Sequence, residues 1–242
     1  MVNDNVVVNR MNLWLGLLLI TASVFALGGF LHAKYPFFHL PSDFNLEMGA
    51  SNEKRLKYEA LIRQANASNA MVVFAIAGSL LAGCLSLVGR PCCSLTSRIL
   101  SGLVLGAIWG ATTGFFAIIA QPLIVPRGSI PSATTVGMSQ ALAFGLLGGG
   151  IGLIFAMSSR NMNSILSNAL KGILAGGLAG FLFPVIVGLF VTTQDSSVLI
   201  PKGYLALLLW IAIPFATIFF MMTQIRTHQS TKTPPNEPEV AV

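Results

Sequence analysis

Six long stretches of this chain carry no charged residue at their centres, and they constrain the fold more than any other feature. They are residues 13–33, 70–89, 99–121, 137–157, 170–192 and 203–223. A helix needs about 20 mostly apolar residues to cross the hydrocarbon core of a bilayer. Only 9% of all residues are charged, whereas a soluble domain has roughly 25%. The sequence therefore predicts an integral membrane protein.

The apolar stretches predict helices and not the strands of a barrel. Lipid offers no partner for backbone hydrogen bonds, so a spanning segment must be a helix or part of a closed barrel. Barrel strands alternate apolar and polar residues over about ten positions, whereas the runs "LWLGLLLI" and "LALLLWIAI" do not alternate. The expected fold class is all-α, a polytopic transmembrane bundle of six spans packed through glycines.

The stretches outside the spans are short, apart from the first loop. Residues 1–12 form a polar N-terminal tail. Residues 226–242 are rich in proline and polar residues and are expected to be a disordered C-terminal tail. The transmembrane domain then covers residues 13–225, with a long loop at 34–69.

The second half of this loop is predicted to be helical. Glu53 precedes Lys57 by four residues, and Glu59 precedes Arg63 by four. Such pairs stabilise an isolated helix by about 0.2–0.5 kcal/mol each. No proline or glycine separates this segment from the second span, so one continuous helix is expected over residues 52–89, projecting from the membrane.

Lysine and arginine in the short loops predict cytoplasmic termini. With six spans, both ends of the chain lie on one side. The cations on that side are Arg10, Arg90, Arg98, Arg160, Lys171, Arg226 and Lys232. The two short loops on the other side hold only Arg127 and Lys202. The long first loop adds further cations to that other side, mixed with acids. The expected location is the cell membrane, with a first span that is too long for a cleaved signal peptide.

Glycine recurs at every fourth position in two spans and predicts close helix packing. Residues four apart share one face of a helix, and small residues let two helices approach closely in lipid. The candidate packing residues are Gly102, Gly106, Gly110, Gly114, Gly148, Gly152, Gly172, Gly176 and Gly180. The expected partner is another span of the same chain, with a second copy of the chain as the alternative.

A shift of 70 residues aligns spans two and three with spans four and five. Phe74 then falls on Phe144, and Gly78 falls on Gly148, without a gap. The two pairs of spans would share one orientation in the membrane. This arrangement predicts a parallel internal repeat of the kind found in some transporters.

No catalytic pattern accompanies the spans. Ionisable residues inside a membrane usually mark a functional site, but the centres of the spans have none. The sequence also lacks a phosphate loop, a zinc-protease motif and a nucleophile elbow. It therefore predicts a protein that is not an enzyme and needs no metal or cofactor. The basic residues form no stripe with interleaved aromatics, so no nucleic-acid partner is expected.

Two non-enzymatic functions remain open. The first is a membrane component or subunit that pairs with copies of itself or with other membrane proteins. The second is a passive channel or carrier for a small neutral solute. Its polar lining would come from Thr112, Thr113, Ser139 and Gln140.

Overall fold

The computed structural model describes residues 4–39, 51–88, 94–125, 132–158, 165–190 and 199–230. Within these ranges it describes the backbone alone for 4–13, 158, 190 and 224–230. Its helices are α1 (Asp4–Lys34), α2 (Asn52–Val88), α3 (Leu95–Ile124), α4 (Ala133–Ser158), α5 (Ile165–Phe190) and α6 (Tyr204–Ser230). All six are long and apolar enough to cross a membrane. The predicted all-α fold with six spans is confirmed.

The helix predicted from the first loop into the second span is one element in the structure. At the start of this helix, the backbone N–H of Lys54 donates a hydrogen bond to the side-chain hydroxyl of Ser51, at 3.4 Å. The Nζ atom of Lys57 lies 2.7 Å from a carboxylate oxygen of Glu53, as the spacing predicts. Side chains over residues 52–68 are exposed or half-buried, and full burial begins at Asn69. This first part of α2 therefore projects beyond the packed bundle.

The first and last helices are longer than the predicted spans. α1 begins at Asp4, inside the predicted tail of 1–12, and α6 runs to Ser230, inside the predicted disordered tail of 226–242. Neither extension contains a proline or glycine that would end a helix. The remaining tail residues and several of the counted cations lie outside the described residues: 231–242, Arg90, Arg127, Arg160 and Lys232.

The six helices form a ring in chain order. Each helix packs against the next, and α6 packs against α1. The even-numbered helices α2, α4 and α6 also contact one another across the centre of the ring. Three helices are therefore internal, and each odd-numbered helix lies in the outer groove between two of them.

The two closest helix pairs are α2–α3 and α4–α5, where glycines lie against backbone carbonyls. The glycine-to-carbonyl contacts between α3 and α2 are Gly102–Ala82, Gly106–Gly78, Gly110–Phe74 and Gly114–Ala70. The contacts between α5 and α4 are Gly172–Gly148, Gly176–Phe144, Gly180–Gln140 and Gly152–Asn168. All nine candidate glycines thus lie where two helices of this chain meet, and a methyl group at any of them would overlap a neighbouring helix.

The second helix pair is offset from the first by about one helical turn. The Phe74 carbonyl faces Gly110, and the Phe144 carbonyl faces Gly176. α2 therefore matches α4 at the predicted shift of 70 residues, whereas α3 matches α5 at a shift of 66 residues. One turn of helix takes about 3.6 residues, so the same face still points inward. The structural repeat consequently needs a four-residue gap that the ungapped sequence alignment lacks.

Candidate functional site

Three aromatic rings, one from each inner helix, meet at the centre of the ring. The centroid of the Trp210 ring lies 5.4 Å from that of Phe74 and 5.0 Å from that of Phe144. The two phenylalanine centroids are 5.8 Å apart. These separations and tilted orientations are those that aromatic pairs prefer. Because each of the three side chains is at most 1% exposed, they fill the centre of the bundle at this level.

Gln140 on α4 joins one ring of this aromatic cluster to a further segment of the chain. Its Nε2 atom donates a hydrogen bond to the carbonyl of Leu199, at 2.9 Å, and its Oε1 atom accepts one from Trp210 Nε1, at 3.0 Å. An indole N–H can only donate and a carbonyl can only accept, so the amide has one consistent orientation. Gln140 is fully buried. It therefore links α4, α6 and the segment that precedes α6.

Asn69 on α2 makes a similar bridge to the segment that follows α1. Its Oδ1 atom accepts hydrogen bonds from the backbone N–H groups of Phe37 and Phe38, at 2.8 and 2.9 Å. Its Nδ2 atom donates to the Phe38 carbonyl, at 3.0 Å. Asn69 is 2% exposed. A single buried side chain thus holds the backbone of this segment against α2.

Both bridges lie at the end of the bundle where the buried parts of the inner helices begin. We call this region the amide-bridged cap, defined by Asn69, Gln140 and the segments 35–39 and 199–203. Leu199 and Ile200 are buried there, and the rings of His32 and Tyr204 join α1 to α6 with centroids 5.2 Å apart. These contacts hold the segments 35–39 and 199–203 against the inner helices, next to the aromatic cluster.

Tyr35 belongs to this cap. Tyr35 lies just beyond the end of α1, and its ring contacts that of Phe37 with centroids 6.4 Å apart. Burial raises the pKa of the Tyr35 phenol above its ordinary value, because the phenolate would lose its hydration. The group therefore stays neutral at physiological pH and acts as part of the packed cap.

The structure does not gather the predicted pore residues around one passage. Thr112 lies on the exposed side of α3, and its hydroxyl donates to the Ile108 carbonyl at 2.9 Å. Thr113 is 2% exposed, since adjacent residues of a helix point about 100° apart. Ser139 is 6% exposed, and Gln140 belongs to the cap. Thr112 thus faces away from the other candidates.

A further tryptophan joins the two helix pairs. Trp109 on α3 donates a hydrogen bond from Nε1 to the Leu146 carbonyl of α4, at 2.8 Å. Its indole lies directly against Gly150, where any side chain would overlap the ring. No sequence pattern marks Trp109, Trp210 or Asn69 as functional. Their one signal in the sequence is a polar atom within an apolar stretch. The sequence does not show which neighbours that atom bonds to.

No constellation for catalysis or metal binding emerges within the part of the chain that the structure describes. Groups of three or more metal-binding side chains are absent there. The Ser23 hydroxyl lies 3.8 Å from the Cys84 thiol, inside the spanning region. Neither a family model, nor a curated protein, nor a solved structure matches the chain. The function is therefore inferred from the geometry of the bundle.

Replacing Asn69 with leucine should release the segment 35–39 from α2. The change keeps the size of the side chain but removes three hydrogen bonds. Each such bond contributes about 0.5–1.5 kcal/mol net, so amide hydrogen exchange at Phe37 and Phe38 should accelerate at least tenfold. Mass spectrometry after deuterium labelling in lipid nanodiscs measures this rate.

Asn66→Leu is the matched control for this prediction. Asn66 lies on the same helix but is exposed. Its replacement should leave the exchange rate of Phe37 and Phe38 unchanged. Equal exchange rates in Asn69→Leu and the unmodified protein would show that the amide bridge does not hold the segment.

Proposed function

We propose that this protein is a non-enzymatic membrane component that assembles with other membrane proteins or with further copies of itself. The filled centre of the bundle is the observation that carries the proposal. A protein that moves a solute needs a polar path between its helices, or a conformation that opens one. A closed bundle with lipid-facing helices is instead suited to binding other membrane proteins through its outer surface.

The packing along the ring axis supports this function over a channel or carrier. Beyond the aromatic cluster, the inner helices contribute Leu147, Ile151 and Phe215, each at most 1% exposed. The buried polar groups of Gln140 and Trp210 bond to each other instead of facing a lumen. A route for a neutral solute would have to displace these side chains and break this hydrogen bond.

We also propose that the protein lies in the cell membrane with both termini in the cytoplasm. The support is the distribution of lysine and arginine between the short loops. In this orientation the amide-bridged cap and the projecting first part of α2 lie outside the cytoplasm. Exposed charged residues of that part, such as Lys54 and Arg55, are then available to an extracytoplasmic partner.

The test is the native mass of the complex extracted in mild detergent, with quantitative identification of co-purifying proteins. The account predicts an assembly larger than one chain, containing a partner or further copies in fixed stoichiometry. The same mass should be recovered after reconstitution into nanodiscs. A lone monomer under both conditions would contradict the proposal and would favour a function inside a single chain.

A further inference from the structure

The ring contains a third helix pair, formed by α6 and α1 from opposite ends of the chain. In the first two pairs an inner even-numbered helix packs against the odd-numbered helix that follows it. α6 is likewise an inner helix, and the outer helix beside it in the ring is α1. The aromatic cluster marks the same correspondence, because Phe74, Phe144 and Trp210 come from the inner helices of the three pairs.

This third pair lacks the backbone contacts of the other two. Gly28 of α1 faces the side chain of Leu208, and Gly16 faces the side chains of Phe219 and Val88. Residues 204–223 of α6 contain no glycine at all. At Gly16 and Gly28, side chains therefore lie between α1 and its neighbours, whereas the glycines of α3 and α5 touch the backbone of their partners.

Within residues 14–34 of α1, few polar contacts compensate for this looser packing. Association of helices in lipid depends on close packing and on hydrogen bonds between helices, because the lipid tails are as apolar as the side chains. Along the span of α1, the Ser23–Cys84 contact of 3.8 Å joins it to α2. The Asn69 bridge acts on residues 37 and 38, beyond the end of α1. Within residues 14–34, α1 is thus bridged near one end and is otherwise held by side-chain contacts.

We propose that α1 is a releasable helix and that the ring opens between α1 and the α2–α6 side while the other five helices stay packed. Release would pivot about the Asn69 bridge. It would uncover the side of α2 and α6 that carries Cys84, Val88 and Phe219. This opening does not depend on the function proposed above.

The chain contains a natural reporter for this movement. Cys84 is 8% exposed and faces α1 through Ser23. Ser86, two residues along the same helix, is 4% exposed and faces Gly102 of α3. The two positions share depth and burial but belong to different interfaces. A thiol at each position therefore separates release of α1 from general opening of the bundle.

The experiment compares alkylation rates by N-ethylmaleimide in reconstituted vesicles. Cys92 and Cys93 are replaced with serine in both proteins. One protein keeps Cys84, and the other carries Cys84→Ser with Ser86→Cys. The proposal predicts that the Cys84 thiol reacts at least tenfold faster, after each rate is normalised to the rate in denaturing detergent. Equal rates, or a faster reaction at position 86, would overturn it.

Two further variants keep the test decisive. Thr113→Cys in the Cys84→Ser background places a protected thiol on α3 at a position that is 2% exposed, and it replaces the Ser86→Cys reporter if that variant does not fold. Ser23→Cys should form a disulfide with Cys84 under mild oxidation. Detergent should separate α1 from the bundle less readily in the oxidised sample than in the reduced one. Equal separation in the two samples would also contradict a releasable helix.

Discussion

Gly176→Ala should lower the ratio of folded to unfolded protein at least tenfold, whereas Gly188→Ala should leave this ratio unchanged or raise it. Both positions lie on α5, and both changes add one methyl group. At Gly176 that methyl would overlap the Phe144 carbonyl of α4, while nothing lies within 4 Å of the same methyl at Gly188. Thermal unfolding in detergent and the amount recovered from membranes both measure the difference.

The size of the effect follows from what the methyl meets. Overpacking of an interior costs about 1–3 kcal/mol when side chains can shift. A backbone carbonyl inside a helix cannot move alone, so the whole helix pair must separate, and the contacts at Gly172 and Gly180 weaken with it. At Gly188 the only expected effect is the gain in helix propensity, about 0.8–1.0 kcal/mol in favour of alanine.

The first helix pair provides an independent replicate. Gly110→Ala should behave like Gly176→Ala, because a methyl there meets the Phe74 carbonyl. Gly29→Ala on α1 is the corresponding control, with nothing within 4 Å. If Gly176→Ala and Gly110→Ala unfolded at the same temperature as their controls, the glycines would face lipid and the helix pairing described above would be wrong.

Gln140→Leu should reduce the free energy of unfolding by about 2 kcal/mol or more, because a buried donor or acceptor that loses its partner costs about 1–3 kcal/mol. Leucine has nearly the same volume but cannot bond to Trp210 Nε1 or to the Leu199 carbonyl. Trp210 provides the readout, since its fluorescence should change as the cap loosens. Unfolding by increasing amounts of denaturing detergent measures the loss.

A double-mutant cycle separates this hydrogen bond from simple loss of packing. Trp210→Phe removes the indole N–H, so Gln140→Leu should cost less in that background than in the unmodified protein. Thr112→Val is the control for a polar group that only bonds to its own helix, and it should change stability by less than about 0.5 kcal/mol because it lies at the surface. Strictly additive effects of Gln140→Leu and Trp210→Phe would show that the two side chains do not stabilise each other.

The number and class of the helices could be predicted from the sequence because they depend on local quantities. Twenty apolar residues in a row determine a span whatever its neighbours are. The contacts of Gly106 and Gly176 could also be anticipated, because a four-residue period of glycine marks one face of a helix. The continuous α2 followed from the absence of any helix-breaking residue between its exposed and buried parts.

The direction in which each helix faces could not be predicted in the same way. A helix in lipid is apolar both towards the core and towards the membrane, so its sequence does not reveal which side is inside. Thr112 and Thr113 are neighbours in the sequence, yet one is exposed and the other buried. Asn69 and Gln140 bond to Phe38 and Leu199, which are distant in the sequence and come close only in the folded chain.

The four-residue gap in the repeat has a similar origin. The glycines recur at every fourth position in both α3 and α5, so two alignments one turn apart place glycine on glycine equally well. Only the partner carbonyls of Phe74 and Phe144 distinguish between these alignments. A periodic pattern predicts the face that packs, but it leaves the position along the helix axis to be decided by the packed partner.

The permeability of vesicles containing the purified protein tests the central claim most directly. The claim is that the ring is closed along its axis by Phe74, Phe144 and Trp210. Stopped-flow light scattering should give the same rates of water and glycerol entry as vesicles without protein. Entry that accelerates with the amount of protein, and falls when Gln140 or Ser139 is replaced, would contradict the closed bundle and establish a solute path.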